Sequence, residues 1–207
     1  ASVMDDVRRI SGVAEVDGFR GLRVEDGRGG RFLLGAGDFD VMARRGRLLF
    51  RDGDSAAILQ EARVQDQLIV SETFAERYRL TVGDEVTLHP PAHTVRLRIA
   101  GVYYDYTTEG GLAVMDRALF QRLWKDPWLT SIVLYLVPGA DPEAVRLEIL
   151  RRFPAREDLV VFSNRALKVR VLEIFDQTFA ITYALEVIAL VVAALGIAYS
   201  PRMARLA

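Results

Sequence analysis

The sequence predicts an α+β fold: a mixed sheet with helices on one side, a small mostly-β subdomain over about residues 68–100, and a long C-terminal helix leaving as a stalk. Three observations carry this. Short strand-like runs broken by turn residues fill the first half of the chain. Helices with clear capping residues punctuate the second half. After Ser163, no glycine or proline interrupts a helical pattern until Gly196.

The elements follow in order. Asp5 and Asp6 before Val7 to Ile10, closed by Gly12, read as a short opening helix, acidic at its start. Val13–Val16, Phe19–Val24 and Arg31–Gly35 read as strands, split by Asp-Gly and Gly-Arg-Gly-Gly turns. Arg47–Arg51 is a further strand-like run, closed by Asp52-Gly53-Asp54. Leu68-Ile69-Val70 has the unbroken apolar character of a buried strand. Ser71 or Thr73 can cap the helix that holds Phe74, Ala75 and Tyr78, and Thr73 with Glu76 has capping-box spacing. Glu85–Leu88 is a strand, and Thr94–Ile99 alternates strictly, which gives one strand a wet face. Leu112–Met115 is a strand, and Asp116 caps a helix with Leu119, Phe120, Leu123 and Trp124 on one face. Ser131–Val137 is a strand. Asp141-Pro142 places a cap and a first-turn proline before a helix over Glu143–Phe153. Leu159–Phe162 is the last strand.

Composition narrows the class. The 207 residues give room for a substantial core, and 51% are hydrophobic. The balance of 27 basic against 28 acidic residues argues against a nucleic-acid partner, which needs a basic excess or stripe. The chain has no cysteine, which excludes disulfides, thiolate metal sites and a cysteine nucleophile. Ala1–Ile10 is too charged for a signal peptide, so export would require something upstream.

The apolar excess is local. Residues 164–199 as a helix span roughly 50 Å at the helical rise. In the first half, Leu167, Val171, Ile174 and Phe175 form an apolar stripe, with Lys168, Arg170 and Asp176 elsewhere. From Phe179 to Tyr199 the only charge is Glu186, and about 20 apolar residues suffice to cross a bilayer. Arg202 and Arg205 follow this run and Glu173 and Asp176 precede it, which puts the C-terminus in the cytoplasm and residues 1–176 outside. Glu186 lies about two turns inside the run, a costly place for a carboxylate at membrane depth, so it reads as interfacial or as a helix–helix hydrogen-bonding group. The expected organisation is a domain over 1–163, a stalk and membrane helix over 164–199, and a tail or truncation point over 200–207.

Several motifs lead nowhere chemically. Gly35-Ala36-Gly37 starts like a dinucleotide loop, but Asp40 stands where the third glycine belongs. No G-x-x-x-x-G-K-[ST] and no G-x-S-x-G occur. Asp38, Asp40, Asp52 and Asp54 fit no EF-hand spacing and read as turn formers. Two prolines separate His89 from His93, which removes a helical metal pair. Gly83-Asp84 reads as a tight turn into a strand. No enzyme, metal or cofactor reading has residues to stand on. The polar, aromatic loop with Tyr103, Tyr104 and Tyr106, with Gly110-Gly111 as its hinge, is the candidate partner contact.

Five segments carry a family resemblance: "DDVRRISGVAEV", "LIVSETFAERYRLTVGDEVTL", "VRLRIAGVYYDY", "GGLAVMDRALFQRLW" and "EIFDQTFAITYALEVIALVVAALGIA". In this order they resemble the periplasmic core domain of FtsX/MacB-type ABC-transporter permeases running into the adjoining membrane segment. The likeness covers about residues 4–198 and is loose over 36–66. It implies a bacterial inner-membrane protein with this domain outside, paired as a homodimer or heterodimer. It also implies ATP held by a separate ATPase subunit or domain, and a periplasmic protein or substrate as external partner. The expected function is coupling of cytoplasmic ATP hydrolysis to external movement, for export or for lipoprotein or lipid extraction. The rival expectations are a membrane-anchored module that recruits an external protein without transport, and a soluble enzyme with a buried C-terminal helix.

Overall fold

The computed structural model describes residues 3–26, 30–46, 48–105, 108, 110–153, 161, 183 and 185–193. Residues 1–141 form one compact unit and 142–207 a second.

The first unit is built on a seven-stranded mixed sheet: β1 (Val13–Glu25), β2 (Arg31–Gly37), β3 (Leu68–Ser71), β4 (Glu85–Leu88), β5 (Val95–Tyr103), β6 (Leu112–Asp116) and β7 (Ser131–Leu136). Their spatial order is β4-β5-β3-β6-β2-β1-β7. Pairs β2/β6 and β3/β5 are parallel; β1/β2, β1/β7, β3/β6 and β4/β5 are antiparallel. The stretch 68–100, expected as a small mostly-β subdomain, supplies β3, β4 and most of β5 to this sheet.

Helices cover both faces of the sheet, not one. Alternation along the central strands shows it. Leu68 and Val70 of β3, with Ala113 and Met115 of β6, meet Phe74 and Ala75 of α4 (Glu72–Tyr78) and Leu119 and Phe120 of α5 (Arg117–Trp124). Ile69 and Val114 point the other way, to Phe39 of α2 (Phe39–Arg45) and to Leu59 and Ala62 of α3 (Ser55–Val64). Strands covered on both faces read as unbroken apolar runs, which is how Leu68-Ile69-Val70 looks in sequence. On the α4 side, Phe74 packs edge-on against Phe32 at 5.1 Å and tilted against Tyr78 at 4.7 Å. Such pairs add about 0.5–1.5 kcal/mol beyond burial.

Three further expectations change. The turn expected at Asp17-Gly18 is absent, because β1 runs straight through it. Gly18 serves close packing: a Cβ there would lie 2.6 Å from Arg117 Nη1 and 2.8 Å from Met4 Sδ. The strand expected at 47–51 reduces to one bridge, Phe50 with Tyr103, flanked by Arg51 N–H to Val102 O and Tyr104 N–H to Leu49 O. Two of the four aspartates read as turn formers cap helices: Asp38 accepts from Asp40 N and Val41 N, and Asp54 from Ala57 N; Asp40 lies within α2. Other elements sit where expected. Ser71, rather than Thr73, caps α4; Asp116 caps α5; α1 spans Val3–Arg8.

The second unit begins with α6 (Pro142–Arg152), whose first residue is the expected proline. Residues 185–193 are helical. Among the described residues no helix is long and apolar enough to cross a membrane. Most of the expected 164–199 helix, the Ser163 cap, and all of the expected 159–162 strand except Val161 lie outside the described residues.

Candidate interaction surface

The loop between β5 and β6 was the expected partner contact, and the structure divides its residues. Tyr103 is 4% exposed. Its ring packs edge-on against Phe50 at 6.1 Å, so it is a core residue and presents no free aromatic face. Burial pushes its phenol pKa up, and the nearby charge of Asp105 pushes it further. Tyr104 is half-buried, with its N–H donating to Leu49 O. Tyr106 lies outside the described residues.

Gly110 and Gly111 do adopt positive φ, 84° and 87°. Their surroundings are those of an anchor and not of a hinge. A Cβ on Gly111 would fall 2.5 Å from Phe74 N and Cα, so only glycine lets the chain pass the start of α4. Arg77 Nη1 donates to Gly110 O, and Leu112 N donates to Ser71 Oγ, the same hydroxyl that caps α4. The loop exit is thereby pinned.

Beside this loop, on the α2/α3 face, lies an open and mainly apolar pocket of about 260 Å³. It is lined by Phe19, Met42, Leu48, Leu112 and Val114, with Tyr103, Tyr104, Asp105 and Thr108 from the loop side. Glycines set where Phe19 lies. Gly21 of β1 pairs with Gly35 of β2, which pairs with Val114 of β6. The Phe19 ring occupies the space this row leaves: a Cβ on Gly35 would sit 2.6 Å from Phe19 Cζ, and one on Gly21 3.7 Å from Phe19 Cε1.

A second feature adjoins it. α5 ends at Lys125 in the left-handed region, φ 54°, and a hydrogen-bonded loop follows. Arg20 pairs with Asp126 at 2.8 Å, both half-buried. Trp128 N donates to the other Asp126 oxygen at 2.8 Å. Thr130 Oγ1 accepts from Gly21 N at 2.9 Å, and Thr130 N donates to Phe19 O at 2.8 Å. This framework holds Trp128 outward at 73% exposure. The sequence reading passed over both Phe19 and Trp128. Asp126-Pro127-Trp128 is a turn signature that carries an aromatic, and that was the available signal.

The remaining candidates resolve as structure. Asp84 Oδ2 accepts from Thr81 N and Oγ1, and Gly83 has φ 93° with nothing within 4 Å of where a Cβ would lie: the expected tight turn. His89 Nδ1 lies 3.1 Å from Thr94 Oγ1. Among the described residues no group of three or more His, Cys, Asp or Glu could hold a metal ion. Asp17, 7% exposed, accepts from Asp38 N, and burial raises its pKa. Glu15 binds Arg44 and Arg45 of α2, and their guanidiniums hold its carboxyl below the usual range. Glu186 is exposed on its helix, as are Tyr183, Leu185, Val187, Ile188, Leu190, Val191 and Val192. Leu167, Val171, Ile174 and Phe175 lie outside the described residues.

The described residues thus form a mixed sheet covered by helices on both faces, with an open apolar pocket on one of them and Trp128 held outward. Comparison with known proteins gives the family. Residues 2–152 match the MacB-like periplasmic core domain, and the chain belongs to that family. An uncharacterized ABC transporter permease protein of Mycobacterium tuberculosis is 32% identical over 131 residues, 63% of this chain. The chain spans only 15% of that relative's length. The fold is similar to the periplasmic region of MacB from Actinobacillus actinomycetemcomitans, with TM-score 0.55, 11% identity and coverage of 81% of this chain and 80% of that one. It is also similar to the extracellular domain of the noncanonic ABC-type transporter YknZ from Gram-positive bacteria, with TM-score 0.52, 13% identity and coverage of 77% and 87%.

Proposed function

We propose that this chain is the extracytoplasmic domain of a bacterial ABC-transporter permease and that it moves in response to ATP hydrolysis on the cytoplasmic side. The observation that carries the reading is the family match over residues 2–152, followed directly in sequence by a helical pattern ending in an apolar run. ATP is held by a separate ATPase subunit or domain, since the sequence has no phosphate-binding loop. The stripe Leu167, Val171, Ile174 and Phe175 is the coupling element, and Phe179–Tyr199 enters the bilayer. The exposure of residues 185–193, apolar around the whole helix apart from Glu186, supports a lipid surround.

Movement can be read without knowing the substrate. Spin labels on Val64→Cys, 80% exposed at the end of α3, report distances between paired permeases reconstituted with their ATPase. ATP should shift that distance. Val171→Pro breaks a helix at a cost of about 3 kcal/mol, so it should abolish the shift while ATP hydrolysis continues. A shift that persists in a folded, inserted Val171→Pro permease would remove the stalk from the mechanism and favour a recruiting module.

A further inference from the structure

Strand register extends the pocket beyond its own lining. Along β1, Leu22 and Val24 pack on the α4/α5 side of the sheet and Phe19 on the α2/α3 side. Alternation therefore puts Gly21 and Arg23 on the face that carries Phe19. Arg23 pairs with Leu33, and Leu33 with Leu112, one row along from Gly21, Gly35 and Val114. Leu112 and Val114 both line the pocket, so an apolar strip runs from it through Leu33 and ends at the Arg23 side chain. Cover thins along this strip: Val114 is buried, Leu33 and Leu112 are half-buried, and Arg23 is exposed.

Size and charge select the occupant. A cavity of roughly 150 Å³ takes benzene, with six carbons, so one of about 260 Å³ takes about ten. Glu25, the next residue after Arg23 on this face, is engaged by Arg31 at 3.5 Å. Arg23 itself has no ion-pair partner among the described residues. The loop side carries Asp105, whose negative charge turns an anion away from that side and towards Arg23. We propose that the strip binds a free fatty acid, with its chain in the pocket and its carboxylate at Arg23. The site lies within residues 19–114 and does not rest on the coupling role of the stalk.

The test uses the full 207-residue chain in phosphatidylcholine nanodiscs, labelled with 13C-methyl methionine and titrated with decanoate. The chain has four methionines, and Met42 lines the pocket. Met42→Leu identifies its signal. Decanoate should move that signal saturably and leave the Met4 signal in place. Octanoate, two methylenes shorter, should bind roughly fifteenfold more weakly, at about fourfold per methylene. Arg23→Gln should weaken decanoate about fivefold, the upper end for an exposed charge pair. It should leave the melting curve and the affinity for decanol, which has no charge, unchanged. No loss with Arg23→Gln, or an equal loss for decanoate and decanol, would overturn the proposal. A Met42 signal that ignores decanoate would overturn it too, and if that signal moved with protein concentration the pocket would belong to a contact between chains.

Discussion

Gly111 and Gly83 have nearly the same φ, 87° and 93°, but different surroundings. Gly83 has nothing within 4 Å of a built Cβ, whereas Gly111 has Phe74 backbone at 2.5 Å. Gly83→Ala should therefore cost only the left-handed strain, about 1–2 kcal/mol. Gly111→Ala must also move α4, and its urea midpoint should fall well below that of Gly83→Ala; equal losses would refute the close approach. Asp17 makes a prediction with a sign. Burial raises its folded pKa, opposed by the Asp38 N–H and by Arg117, and reinforced by the charges of Asp38 and Glu15. The fold then holds the proton more tightly than the unfolded chain. Stability attributable to Asp17 is full below the unfolded value near 3.8 and is lost as pH rises through the raised one. Asp17→Asn keeps an oxygen for Asp38 N–H. Its melting temperature should exceed that of the parent at pH 7 and approach it near pH 3; a gap constant with pH would contradict this.

Asp116 ties two elements together. One oxygen accepts from Ala118 N and caps α5, while the other accepts from Phe39 N at the start of α2, in a buried setting. Asp54 caps α3 alone in the open. Removing the Asp54 cap as Asp54→Ala should cost about 1 kcal/mol. Asp116→Ala loses a cap and strands a buried N–H, so roughly 2–4 kcal/mol is expected from chemical denaturation. Asn at 116 should recover only part, because its amide nitrogen cannot accept from Phe39. These elements also show what sequence carries. Strands β3 to β6 and helices α4 to α6 were legible because alternation, unbroken apolar runs and Asp or Ser caps all pointed one way. Helices α2 and α3 were missed: α3 buries only Leu59 and Ala62, too few to mark a period. Part of what holds the pair is polar, through Asp40 of α2 to Gln60 and Arg63 of α3. Missing them put the helices on one face of the sheet.

For the whole molecule, the family was readable because the order of segments is specific even where each motif is weak. The surface was not. Tyr103 looked like a loop aromatic, but the bridge from Phe50 that buries it is a contact across about fifty residues. The pocket depends on Phe19 lying over Gly21 and Gly35, a consequence of register that composition does not show. A chain ending at Arg170 should be soluble and unfold cooperatively on heating, whereas the 207-residue chain should need detergent to stay dispersed; a short chain that is unfolded would move the domain boundary. The account's central claim is that the domain faces away from the cytoplasm. The absence of native cysteine within these 207 residues makes Val64→Cys, 80% exposed, a clean reporter once any cysteines elsewhere in the permease are replaced. In spheroplasts carrying that permease, a membrane-impermeant maleimide should label Val64→Cys as fully before lysis as after it. Labelling that appears only after lysis would place the domain in the cytoplasm and contradict the account.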